Sequence, residues 1–389
     1  MSDPSTVVSR AWVEVDEGAF RRNLRRVCDA AGPAASVVPM LKANAYGLGV
    51  QAVLRMARAE LRADELRGFG VAAVREGEQL RALGWTGRVV VFAAVPPGEF
   101  PRAARAGLTL ALSDVGGVRR WAQAAREAGR RAAFHAEIDT GMGRAGFSYA
   151  AAATWGREVD ALSADLLEWE GCFTHFHSAD EPDLRPTDAQ QARFLEALEA
   201  LPPPRDGVPR RVIHSANSAA ALRRGGFGLD LVRPGIFLYG GAAGPEIVPE
   251  PVVAVRARIA LVRDVPAGWN CGYGATYTAR RAERWGTLSV GYGDGVPRAL
   301  SPGGGEALVR GRRVPIIGRI SMDMTVVDLT EVPEAGPGDV ATLVGRDGGE
   351  AIGLDEVAAR CGTISYEILT GLGARLPRLY VDGTRSPTP

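Results

Sequence analysis

The chain has 389 residues, 46% of them hydrophobic, with 46 basic against 45 acidic side chains, enough to bury one large core or, at this length, two. The even charge balance leaves no electrostatic footprint for nucleic acid or an anionic membrane surface, so a small-molecule partner is favoured. The first ten residues lack the apolar core of a secretory signal and no later stretch approaches the roughly 20 apolar residues of a membrane span. Cys28, Cys172, Cys271 and Cys361 form no CxxC pair. A soluble, cytoplasmic protein is expected, with reduced thiols, no disulfide framework and no metal site.

In chain order, an apolar run at 11–15 precedes an amphipathic stretch at 17–28. Runs rich in Val, Ile, Leu and Phe follow at 37–42, 68–74, 89–94, 108–113, 132–139, 169–176, 211–216 and 232–239, each trailed by an Ala/Arg/Glu-rich stretch of helical period. Eight strands alternating with helices predict an α/β fold, a closed (β/α)8 TIM barrel rather than an open doubly wound sheet. The Gly- and Pro-rich segment 240–251 marks a boundary. Beyond it, strands are expected at 252–265, 286–291, 307–314, 322–329 and 339–344, then one helix at 354–372. The expected organisation is a barrel over residues 12–242 and a mostly β C-terminal domain over 243–382, joined by residues 1–16. The polar tail from Asp382 reads as a frayed end.

Barrels of this kind carry their chemistry at the C-terminal ends of the strands, where Lys42, Asp139, His175, Asn217 and Tyr239 fall on this reading. From the residues alone Lys42 has two readings. It reaches solvent as lysines at strand ends do, or it is a desolvated amine that forms a Schiff base with an aldehyde cofactor, with Tyr46 beside it. His175 and His177 share a strand face, but no ligand set at zinc-like spacing surrounds them. His135 reads as structural, and Asn217 before Ser218 as a helix cap.

Seven segments carry more. They are PMLKANAYGLG (39–49), DTGMGRAG (139–146), HSANSAA (214–220), VRPGIFLYG (232–240), GYGATYT (272–278), RISMDM (319–324) and TISYE (363–367). In this order, between Trp12 and Tyr380, they resemble the alanine racemase family, isomerases of fold type III that use pyridoxal 5'-phosphate (PLP). The resemblance implies a PLP-binding barrel, a β domain and a head-to-tail homodimer with shared active sites. Lys42 would hold PLP and move the α-proton on the D face, and Tyr273 of the other subunit would serve the L face. His175 would support that tyrosine, and Arg233 would face the pyridine nitrogen. The rest of the cofactor contacts would come from Tyr46, Asn217, Ser218, Gly235, Ile236 and Tyr366. Arg144 and the backbone of Met322 would receive the substrate carboxylate, with Asp323 beside them and Tyr292 and Asp294 at the entrance.

The chain departs from the family's pattern at several positions. Glu137 stands where many members carry a carbamylated lysine that positions the arginine, and a glutamate would supply the same charge by pairing with Arg144. Leu48, His177, Gly272, Gly293 and Met324 also differ. The expected reaction is interconversion of L- and D-alanine by two bases, Lys42 and Tyr273. The alternatives are a racemase of the same fold acting on serine or a modified small amino acid, a fold-related PLP decarboxylase, and a PLP-binding carrier without turnover.

Overall fold

The computed structural model describes residues 9–163, 166–223, 225–301 and 304–382. The runs Phe69–Val71 and Val89–Val91 are buried at every residue, the pattern of parallel strands covered on both faces. They pair in register, Phe69 with Val89 through Val71 with Val91. Thr109–Leu112, Ala132–Asp139, Leu167–Phe173 and Val212–His214 continue the sheet, all parallel. At one edge Met40 bridges to Gly70, and at the other Leu231–Val232 pairs with Ser36–Val37. Two backbone bonds, Asp230 to Ile213 and Arg233 to Ala216, each 3.0 Å, tie the last two strands together. Eight strands therefore close a barrel.

Three expected elements take a different form. The strand expected at 232–239 ends after Val232, because Pro234 offers no N–H to a ladder and Ile236–Tyr239 winds into a 3-10 turn. The run 307–314 is a hairpin of Glu306–Val309 and Arg312–Ile317. Its turn, Arg310 and Gly311, has φ of 51° and 75°, which suits a two-residue hairpin loop. The helix expected at 354–372 is two helices, Leu354–Arg360 and Ser365–Gly371.

The second sheet has nine strands. Its centre is Val253–Val265, which pairs on one side with Ala11–Asp16; that N-terminal strand also pairs in parallel with Arg378–Val381. Residues 1–8 and 383–389, including nearly all of the tail, lie outside the described residues.

Asp16 ends the N-terminal strand and caps the next helix, Glu17–Ala31, its Oδ1 accepting from Ala19 N–H at 2.9 Å. This helix lies on the barrel through Phe20, whose ring is 5.8 Å from that of Tyr239. Tyr239 in turn stacks on Tyr46 at 4.4 Å. Phe20 is fully buried, so Phe20→Ala is expected to cost about 3–5 kcal/mol in chemical denaturation and to loosen the ring stack behind Lys42.

Candidate active site

Lys42 opens a five-residue turn, Lys42–Tyr46, in which Ala43, Asn44, Ala45 and Tyr46 all have φ of 54° or 55°. Left-handed backbone costs a residue with a Cβ roughly 1–2 kcal/mol, so four in succession must be held from outside. Glu76 accepts from Ala43 N–H at 2.6 Å. Asn44 Oδ1 accepts from Val50 N–H at 3.0 Å. Such strain collects where a side chain must be aimed. Lys42, half-buried, borders a cavity of about 450 Å³ with Ala43, Tyr46, Thr363, Ile364, Tyr366 and Thr370. It is the chain's one lysine, a signal that could have settled the choice of amine from the sequence alone.

Arg233 does not line this cavity and is only 5% exposed. Its guanidinium donates to Thr174 O at 2.9 Å, Ser215 O at 3.1 Å and His214 Nδ1 at 2.6 Å, and lies 5.2 Å from the centre of the Phe173 ring. A guanidinium only donates, so His214 carries its proton on Nε2 and gives it to His135 Nδ1, 2.7 Å away. His135 Nε2 then lies 3.4 Å from Glu170 Oε2, an electrostatic contact rather than a formed hydrogen bond. Arg88 pairs with the other oxygen of Glu170 at 2.5 Å. Burial, eased by Glu137, lowers Arg233 to about 10, so it stays charged at neutral pH. Sequence reasoning read His135 as structural and passed over Glu170. Their side of the strand was visible, because His135 lies two residues before Glu137 and shares its face.

His175 stands among cations. Burial, then Arg233, Arg144 and Lys42, push it down to about 3, so its ring is neutral at physiological pH. Glu137 is buried and raised by that burial, against the pull of Arg144 and Arg233, while Asp139 adds to the rise and the Ser113 side chain favours the charged form. Among the described residues no ion pair joins Glu137 to Arg144, so the direct pairing expected from the sequence is replaced by attraction at longer range. Arg144 itself is exposed and makes no hydrogen bond or ion pair among the described residues, which leaves its fork free for a carboxylate.

Asn217 caps its helix, accepting from Ala220 N–H at 3.0 Å. Ser218 Oγ accepts from Gly235 N–H at 2.8 Å. At Gly235 a Cβ would lie 2.3 Å from Tyr46 Oη, so only glycine lets these two elements meet. Ile236 is buried beside them, and Tyr366, from the second domain, lies 6.1 Å from Tyr46 ring to ring. Tyr239, expected at a strand end, donates to Met40 O at 2.7 Å and is structural. Asp139 accepts from Gly141 and Gly143 N–H and shapes its own loop.

The remaining candidates lie elsewhere. Of the residues assigned from the sequence, Lys42, Tyr46 and Tyr366 line the cavity; His175, Arg233, Arg144, Glu137, Asn217, Ser218, Gly235 and Ile236 do not, nor do Tyr273, Tyr292, Met322 and Asp323. Tyr273 is 69% exposed, and Tyr292, Met322 and Met324 are exposed with it. Gly293 N–H donates to Met322 O at 2.9 Å. Asp323 pairs with Arg375 at 2.9 Å. Asp294, expected at an entrance, is wholly buried as the anchor of Arg10 and Arg375.

The family model described as the alanine racemase N-terminal domain matches residues 15–243, and that of the C-terminal domain matches residues 252–380. The chain belongs to the alanine racemase family. The alanine racemase of Symbiobacterium thermophilum is 39% identical over 373 residues, covering 95% of this chain and 96% of that protein. Among solved structures, the alanine racemase of D-cycloserine-producing Streptomyces lavendulae has a TM-score of 0.88 at 33% identity, covering 97% of this chain and 98% of that one. The Bartonella henselae alanine racemase, solved with covalently bound pyridoxal phosphate, has a TM-score of 0.85 at 28% identity, over 96% of this chain and all of that one.

Lys42 is pulled below the ordinary 10.5 by burial first and then by Arg144, with Glu76 opposing. Its neutral amine therefore forms at lower pH than that of a free lysine. The rate at which it captures an aldehyde, followed by the visible absorption that develops, is expected to rise with a midpoint below 10.5. Arg144→Gln removes a positive charge, favours the ammonium and moves that midpoint upward, so capture at pH 7 to 8 slows.

Proposed function

We propose that the chain is a PLP-dependent racemase interconverting L- and D-alanine, acting in the cytoplasm as a homodimer with its barrel over residues 12–242 and its β domain over 243–382. The observation that carries the reading is the chain's single lysine, half-buried and lining a cavity with Tyr46 and Tyr366. The residues present fit the cofactor. Lys42 offers an amine, Arg233 a donor for the ring nitrogen, and Ser218, Gly235, Ile236, Tyr46 and Tyr366 a cradle for the phosphate. The cavity's volume lies within the roughly 300–1,000 Å³ of small-molecule sites. The described cysteines are free thiols, in keeping with a reducing compartment.

Bound PLP would supply an aldehyde for Lys42 and an electron-withdrawing ring that acidifies the substrate's α-C–H. Arg144 would take the carboxylate in its free fork. Lys42 Nζ, easier to deprotonate because of burial and Arg144, would remove or return the α-proton on its own face. Inversion needs an acid on the opposite face, since one base alone only exchanges the proton. Tyr273 is the candidate. Standing in water in a single protomer, it is brought to Lys42 only if a second copy covers this face, which the exposed Tyr292, Met322 and Met324 would also line. His175, neutral, can bond the tyrosine oxygen without adding charge. Arg233 has no proton to give up at neutral pH, which limits electron withdrawal and favours simple proton transfer over side reactions. Glu137 supplies the negative charge that holds Arg144 in place.

Lys42→Ala should abolish racemisation and the visible absorption. Tyr273→Phe should lower racemisation by about 10²–10⁴-fold, while D-alanine in deuterium oxide still gains α-deuterium without inverting; unchanged racemisation would remove Tyr273 from its role. Glu137→Gln should raise KM for alanine more than it lowers kcat, and an unaltered KM and kcat would end its assignment.

A further inference from the structure

The end of the barrel remote from Lys42 holds a second cavity, of about 250 Å³, walled where neighbouring strands begin. Arg88 leads into Val89–Val91, Gly107 precedes Thr109–Leu112, Arg130 and Arg131 precede Ala132–Asp139, and Glu168 lies on Leu167–Phe173. Four arginines border it: Arg81, Arg88, Arg130 and Arg131. Arg88 has its counter-charge in Glu170.

The other three have none of their own. Arg81 donates only to carbonyls, those of Trp85, Gly87, Ala106 and Gly107 at 2.7–2.9 Å. These orient the guanidinium but leave its charge in place, and burial and then the neighbouring Arg130 pull its pKa down. Arg130 donates to Arg105 O at 3.1 Å. Arg131 makes no hydrogen bond or ion pair among the described residues. Three guanidiniums thus share a polar cavity with one carboxylate, Glu168, among the described residues that line it.

Arg81 and Arg130 repel each other, Arg130 and Arg131 stand exposed at the rim, and an anion between them would relieve the repulsion. Guanidinium forks match phosphate oxygens two at a time. The volume falls below the roughly 300–1,000 Å³ of sites for drug-sized ligands, which selects a compact ion over a nucleotide. We propose that this cavity binds a compact multivalent oxyanion of the phosphate class, at a site separate from that of Lys42.

The test is calorimetric titration of the PLP-saturated protein with inorganic diphosphate, at constant ionic strength balanced with chloride and with alanine present. Saturation with PLP and alanine keeps the probe away from the phosphate cradle and from Arg144. The heat of binding is read whether or not the protein turns over alanine, so failure here is distinct from failure of the racemase reading. One saturable site per chain is expected, weakened about tenfold by Arg130→Gln and by Arg131→Gln, with racemase activity and melting temperature unchanged. Arg131 holds nothing else in the fold, so its variant folds as the parent does. Inorganic phosphate should compete for the same site with lower affinity. No saturable binding, or binding equally tight in both variants, overturns the proposal.

Discussion

Burying Arg233 inside the barrel obliges the protein to satisfy a cation that water no longer reaches. No carboxylate touches it. Two carbonyls and one imidazole nitrogen accept its protons, and because the guanidinium can only donate, the direction of every bond behind it follows. His214 must accept on Nδ1 and donate on Nε2, His135 must accept in turn, and Glu170 stands at the end with Arg88 beyond it. The charge needed to keep a cation in the core is thus moved across two neutral rings to the far end of the barrel. Glu137 is the carboxyl group that acts on Arg233, at longer range than a hydrogen bond.

The same shortage of anions sets the behaviour of the cavity. Lys42, Arg144, Arg233 and His175 act on one another, and the nearest buried carboxyl, Glu137, is itself raised by burial. Each neighbouring cation makes it easier for His175 and Lys42 to be neutral. A neutral Lys42 is the form that attacks an aldehyde and accepts a proton. A neutral His175 can face a tyrosine oxygen without fixing it as an anion. The positive field favours an anion here, and Arg144 is exposed and makes no hydrogen bond or ion pair among the described residues.

Much of this was legible in the sequence. The eight barrel strands were, because a parallel strand covered on both faces must be an unbroken apolar run, and Val89–Val91 and Phe69–Val71 are such runs. What single-sequence periodicity could not show was local punctuation. Arg310 and Gly311 turn a run read as one strand into a hairpin, and Pro234 stops the last barrel strand after two residues. The left-handed turn after Lys42 was hidden for a different reason, since Ala43 and Ala45 favour a right-handed helix and Ala43 is held otherwise by Glu76, 33 residues on. The chain from Arg233 to Glu170 joins four separate strand regions, so no spacing along the sequence displays it. Lys42 as the only lysine was in plain view.

Glu137 shows how a matching residue type can mislead about contact. Standing where many family members carry a carbamylated lysine, seven residues before Arg144, it suggested an ion pair with that arginine. The side chain is instead buried and attracts both Arg144 and Arg233 without pairing with Arg144 among the described residues. A carboxylate in that position does two things at once. It eases the burial of Arg233, whose lowered pKa it opposes, and it attracts the exposed Arg144 without occupying its donors. An ion pair would hold Arg144 more firmly but would spend the fork that a substrate carboxylate needs. Attraction at a distance keeps the arginine both placed and free.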